Sequence, residues 1–143
     1  MTNLNIEGFI QAARQLGPTS VGALAEFYAA DSVFSDPFQT VKGRQAIEHV
    51  YLSMFKNLHQ PGFYDIRIVA APTEQELMLQ WRFEFALKAG GERHSIMGSS
   101  LLEVDPTGLI TRHTDYWDAS RFMQALPLIG PVIAWIRRKI AHA

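Results

Sequence analysis

Between Leu79 and Phe85 the chain alternates without a break, Leu79, Trp81, Phe83 and Phe85 being apolar and Gln80, Arg82 and Glu84 polar. Successive side chains of a strand point to opposite faces, so a period of two makes a strand with one dry face and one wet face. No other feature constrains the fold as strongly. The same period governs most of the chain beyond Pro61-Gly62, and four strands are expected there, at about 63–70, 76–88, 92–104 and 109–118. The joints APTEQ, KAGGE and DPTG are turn compositions. Short links between consecutive strands imply an antiparallel meander.

Before Pro61 the period is that of helices. One helix is expected from Leu4 to Leu16, ended by Gly17-Pro18, and a second after Thr19 or Ser20. VFSDPF reads as a short extended piece, because the residue before a proline is biased away from helix. A third helix starts after Gly43, with Ile47, Val50, Tyr51, Met54, Phe55 and Leu58 on its inward face. Helices followed by such a sheet give an α+β domain with the helices on one face. At 143 residues and 48% hydrophobic, residues 1–143 suit a single domain with one core, and 120–143 form a helical tail.

Several function classes drop out. Without cysteine there is no disulfide, thiolate metal site or cysteine nucleophile. Thirteen basic residues against fourteen acidic ones leave no electrostatic footprint for nucleic acid. The start has neither a positive leader nor an unbroken apolar stretch, and the apolar run 125–136 is interrupted by Pro127, Gly130 and Pro131. A soluble, cytoplasmic protein is expected. Phosphate loops, nucleophile elbows and helical HExxH motifs are lacking, so no cofactor is expected.

The face assignment raises the chemical question. In the third strand Ile96, Gly98, Ser100, Leu102 and Val104 make the inner set, with His94 in line; in the fourth, Leu109, Thr111, His113, Asp115 and Trp117 do. A β-bulge would exchange the faces. Two residues apart on one face, His113 and Asp115 have Cα atoms about 6.5 to 7 Å apart and can hydrogen-bond. They read either as a catalytic pair or as a structural dyad. Asp36, between Phe34 and Phe38, is expected to lose hydration, titrate high and act as acid or base; the competing reading is a turn cap. Tyr28, Trp81, Phe83, Phe85 and Trp117 are expected to line an apolar pocket for a small hydrophobic molecule, with Gly98 and Ser100 leaving room and His94 and Ser100 offering hydrogen bonds. His94, His113 and Asp115 match the residue types of a non-haem iron site, but nothing fixes their geometry, and no metal is expected.

Two surfaces stand out. Met97, Leu101, Ile110 and Tyr116 fall on the outer face, which suggests a homodimer through the sheet. In the tail, Pro131 opens a helix striped by Val132, Ile133, Ile136 and Ile140, with Trp135 beside the stripe and Arg137, Arg138 and Lys139 after it. A membrane-surface anchor is one reading; a tail packed over the domain's opening or onto a neighbour is preferred, since one short amphipathic segment binds a bilayer weakly.

The stretches EFYAADSVFSDPFQTVKGRQAIEHVY and HSIMGSSLLEVDPTGLITRHTDYWD together resemble the nuclear transport factor 2-like superfamily, in particular its SnoaL-like branch. The resemblance covers nearly the whole chain and is most specific at FYAADSVFSDPF followed by VKGRQAI. It implies a cone: a curved antiparallel sheet wrapped round an apolar cavity, covered by three N-terminal helices, with a C-terminal helix. It also implies proton-transfer chemistry of the isomerase, cyclase, dehydratase or epoxide-hydrolase kind, or a pure binding or dimerisation role, because such folds host both. On the resemblance Asp36 sits where the isomerases keep a general base, and Asp115 lies where cyclase-like members place an acid or base. Phe34, Phe38 and the other aromatic residues would contact substrate. Ser100 and Ala12 stand where the isomerases' enolate-stabilising pair would be, so steroid isomerisation of that type is not implied.

Overall fold

The computed structural model describes residues 2–141. Helix α1 (Ile6–Arg14) is capped by the Asn5 side chain, which accepts from the Gly8 amide at 3.1 Å, and α2 (Val21–Ala25) follows Ser20. Strand β1 (Tyr28–Ser35) and the short β2 (Thr40–Lys42) lead into α3 (Arg44–Asn57), and the expected meander comes next as β3 (His59–Ala70), β4 (Glu76–Ala86), β5 (Arg93–Val104) and β6 (Ile110–Trp117). The tail is two helices, α4 (Ala119–Gln124) and α5 (Gly130–Ala141).

One six-stranded sheet has the order β2-β1-β6-β5-β4-β3. β3 to β6 are antiparallel, but β1 lies parallel to β6, pairing Phe34 with His113 and Ser35 with Thr114. The sheet is therefore mixed, where a purely antiparallel one was expected. Local sequence shows a strand but not a partner roughly eighty residues away. β2 is a further addition: Asp36 and Gln39 exchange backbone bonds of 2.9 and 3.4 Å, closing a hairpin whose loop is Pro37-Phe38.

Curvature comes from irregular pairing. β3 breaks register at three places against β4, and Gln60 and Asp65 take positive φ of 45° and 54°. Such irregularities bend a strand and increase its twist. Pro61 and Gly62, expected to precede the strand, lie within it; proline is tolerated because β3 is a sheet edge. The helices cover the inner face, where Leu24, Ile47, Leu77, Leu79 and Leu102 form the core.

Two expectations about faces are corrected. Register slips between β5 and β6, with Glu103 opposite Arg112 and Val104 opposite Ile110, so Thr111 is the extra residue and donates its hydroxyl to the Glu103 carbonyl. Upstream of that bulge the faces exchange: Ile110 is fully buried and leaves the outer stripe, while Thr111 leaves the inner set. Met97 and Tyr116 do stand exposed on the outer face.

The second correction concerns Gly98, which leaves no room for a ligand. It lies directly opposite Trp81, and a Cβ built there would come within 2.3 Å of the indole ring. The glycine makes space for tryptophan, whose Nε1–H then donates to Ser100 Oγ at 2.8 Å. Gly98→Val is expected to expel the indole towards the cavity and cost about 1–3 kcal/mol by overpacking. A lowered thermal midpoint together with altered tryptophan emission would show it; an unchanged midpoint would contradict the packing described.

α4 closes one end of the cone. Asp118 caps it, accepting from the Ser120 amide at 3.0 Å, and its Phe122 packs against Phe38, Phe85 and Trp117 at 5.3 to 6.2 Å between ring centroids. α5 packs on α4 and does not itself cover the opening. No described helix is long and apolar enough to cross a membrane.

Candidate functional site

A cavity of about 240 Å³ lies between α3 and the concave face of the sheet. Its walls are chiefly aromatic, with Phe34 from β1, Phe63 from β3, Trp81 and Phe83 from β4, Trp117 from β6 and Phe122 from α4. Three titratable groups meet it: Asp36, Tyr51 and Asp115. Phe38, half exposed in the hairpin loop, stands at its rim against Trp117.

The two titratable groups that β6 turns inward occupy different layers. Asp115 lines the cavity with its side chain 12% exposed, and His113 sits behind it, 3% exposed and out of contact with the cavity. His113 Nε2 is 2.6 Å from Asp115 Oδ1, and Ser100 Oγ is 2.5 Å from the same oxygen. Because both bonds fall on Oδ1, Oδ2 keeps no protein partner among the described residues. A carboxylate only accepts, so the imidazole carries a proton on Nε2, and in its neutral form it presents Nδ1 as an acceptor.

That acceptor is met by Tyr28, whose hydroxyl is 2.7 Å from Nδ1; the Tyr51 hydroxyl is in turn 3.1 Å from that of Tyr28. With the imidazole neutral, each group donates to the next, from Tyr51 to Tyr28 to His113 to Asp115. Such a chain answers the cost of burying polar atoms, since an unpaired one costs roughly 1 to 3 kcal/mol. It also begins and ends at one cavity, because Tyr51 and Asp115 both line it. Burial pushes the Tyr28 phenol well above its ordinary range, with the neighbouring Tyr51 adding to the effect. Lost hydration raises Tyr51 as well, and the Asp115 charge raises it further, so both hydroxyls stay protonated.

Asp36 lies in the β1–β2 turn. Its Oδ1 accepts from the amides of Phe38 at 2.8 Å and Gln39 at 3.1 Å, and Oδ2 from Gln39 Nε2 at 3.2 Å. The turn-cap geometry is thus present, and the same carboxylate still faces the cavity.

Four expected ligand contacts are elsewhere, among them Phe85, which is fully buried and does not line the cavity. Tyr28 is fully buried behind His113, its ring stacked 5.8 Å from the imidazole, and does not line the cavity. Ser100 is turned to Trp81 and Asp115 and has no opening to a ligand. His94 lies six residues from Ser100 along β5, about 20 Å at strand rise, against Phe85 and a shallow depression near Arg121 and Gln124. The three candidate iron ligands therefore do not converge, and no described cluster of histidine and carboxylate has a metal-holding arrangement.

Sequence reasoning makes Tyr51 only a packing residue on the inner face of α3. The signal it offers is its hydroxyl, which a buried tyrosine must satisfy. The face alone does not say with what.

The family model of the SnoaL-like domain matches residues 8–113 of the chain. Comparison with curated proteins by sequence returns no significant match. Among solved structures, the chain is similar to a candidate polyketide cyclase from Xanthomonas campestris pv. campestris, at 19% identity over 81% of this chain and 92% of that one, with a TM-score of 0.68. It is similar to a protein of ketosteroid isomerase-like fold from Catenulispora acidiphila, solved with trimethylamine, at 18% identity over 89% and 96%, with a TM-score of 0.71. It is also similar to the epoxide hydrolase/cyclase-like enzyme of pyran-ring formation in the polyether salinomycin, at 15% identity over 81% and 88%, with a TM-score of 0.64. Identities this low speak for the fold.

Proposed function

The chain belongs to the SnoaL-like domain family, and from that membership we propose that it catalyses proton transfer, without a cofactor, on a small hydrophobic carbonyl or polycyclic compound. The reaction class is isomerisation, cyclisation, dehydration or hydration. What carries the reading is the hydrogen-bonded chain that runs from Tyr51 to Asp115 and meets the aromatic cavity at both ends. Asp115 is the base: Oδ2 takes a proton from a carbon beside the substrate carbonyl, while His113 and Ser100 hold Oδ1 in place. Tyr51, kept protonated, turns its one O–H from Tyr28 to the carbonyl oxygen as charge develops there. Asp115, now carrying that proton, returns it at another carbon, and Asp36, fixed by its turn, is a second carboxylate on the cavity wall.

The test is isotopic. Incubated in D₂O with a panel of apolar cyclic ketones, the protein should exchange protons beside the carbonyl well above the buffer rate. Exchange at the buffer rate for every ketone that binds would leave a binding module instead.

A second reading, a dimerising module, draws on exposed Met97 and Tyr116 on the outer face. Sedimentation equilibrium should find a two-fold dimer that dissociates when both are changed to Glu. A monomeric parent chain removes that reading.

A further inference from the structure

Helix α5 turns its apolar side away from the protein. The side it lays on α4 is small and polar: Ala134 and Arg137 adjoin Gln124, Arg137 Nη1 donates to Gln124 Oε1 at 2.6 Å, and its Nη2 is 3.8 Å from Asp118. The opposite side exposes Val132 at 55%, Trp135 at 53%, Ile136 at 39% and Ile140 at 71%. The turn before it adds Leu128, 90% exposed, and Ile129. A helix docked for its own domain's benefit presents the reverse arrangement. The exposure also removes one half of the preferred expectation, that this stripe packs over the domain's opening; the other half, packing onto a neighbour, concerns a second chain.

Charge says what covers it. Asp118 is the last acidic residue; all fourteen acids precede Ala119, whereas Arg121, Arg137, Arg138 and Lys139 follow it. With Arg137 held by α4, Lys139 is left on the apolar side, its Nζ 5.6 Å from the Trp135 ring centroid, and Arg138 stands exposed at the edge of the α4 side. A second copy meeting this face would add its own cations to the interface and no acidic residue of α5 to pair them. An anionic leaflet complements both features, and tryptophan suits the headgroup zone.

We propose that α5 and the Leu128-Ile129 turn dock the protein reversibly onto an anionic lipid surface. The helix lies in the plane of the interface, since it is too short to span. Docking places α4, which lends Phe122 to the cavity wall, beside the membrane. Nothing in this depends on the proton-transfer chemistry.

Flotation of the full chain with vesicles tests it. The protein should rise with vesicles of phosphatidylcholine mixed with phosphatidylglycerol and stay below with phosphatidylcholine alone. Each cation near an anionic leaflet adds roughly fivefold to binding, so Arg138→Gln with Lys139→Gln should weaken it about 25-fold. Val132→Ser with Ile140→Ser, both at exposed sites that leave folding intact by circular dichroism, should abolish it. Equal flotation on both vesicle types, or none on either, overturns the proposal. So does a chain that self-associates through α5, seen as a sedimenting dimer lost in the serine variant.

Discussion

Asp115→Asn should lower the exchange or turnover rate by about 10²- to 10⁴-fold, the range that a positioned general base supplies, while affinity for an apolar ligand stays near that of the parent. Asparagine matches aspartate in shape, and its carbonyl oxygen can still accept from His113 Nε2 and Ser100 Oγ. What disappears is the carboxylate oxygen left without a protein partner. The cavity walls remain aromatic and unmoved, so calorimetric binding is the control. Activity unchanged by the substitution would remove Asp115 from the chemistry and with it the proposed mechanism. Loss of binding and activity together would mean that Asp115 shapes the cavity instead of acting in it.

Raising the pH should unfold the protein steeply in the alkaline range. An unfolded tyrosine releases its proton near pH 10. Tyr28 and Tyr51 hold theirs to higher pH in the folded chain, first because burial strips water from the phenolate and then because each faces negative charge in the network. Stability from this source is therefore complete below about pH 10 and is lost as pH rises towards the folded values, because only the unfolded state sheds protons. The slope is about 1.4 kcal/mol per pH unit for each tyrosine, so roughly 2.7 for the pair. Urea midpoints followed from neutral pH to about pH 11 should fall accordingly. Tyr28→Phe should halve the slope, even though it also lowers stability at neutral pH by roughly 1 to 3 kcal/mol, since His113 Nδ1 and the Tyr51 hydroxyl lose their partner. A flat alkaline profile in the parent would contradict the buried hydrogen-bonded pair.

The reach of local pattern shows in particular residues. Alternation along Leu79 to Phe85 locates β4 and its dry face, and the same reading puts His113 and Asp115 inward together, as they are. It places Ile110 on the wrong face because a one-residue bulge at Thr111 leaves no mark in composition. Gly98 is legible as a small residue among large ones, but the object filling the space, Trp81 from the next strand, is not. Tyr51 can be placed on the buried face of α3, yet its partner Tyr28 lies 23 residues away, and Tyr28 in turn lies 85 residues from its own partner His113.

Period and turn chemistry by themselves determined the three early helices, the four-strand meander, the α+β class and the inward face of the His113–Asp115 pair, since these follow from the geometry of short chain segments. Tertiary structure alone decided that β1 runs beside β6, that the imidazole backs the carboxylate instead of meeting the cavity, and that α5 shows its apolar side outward. Those are distances between residues far apart in the chain, set by how whole elements pack, and no local pattern carries them.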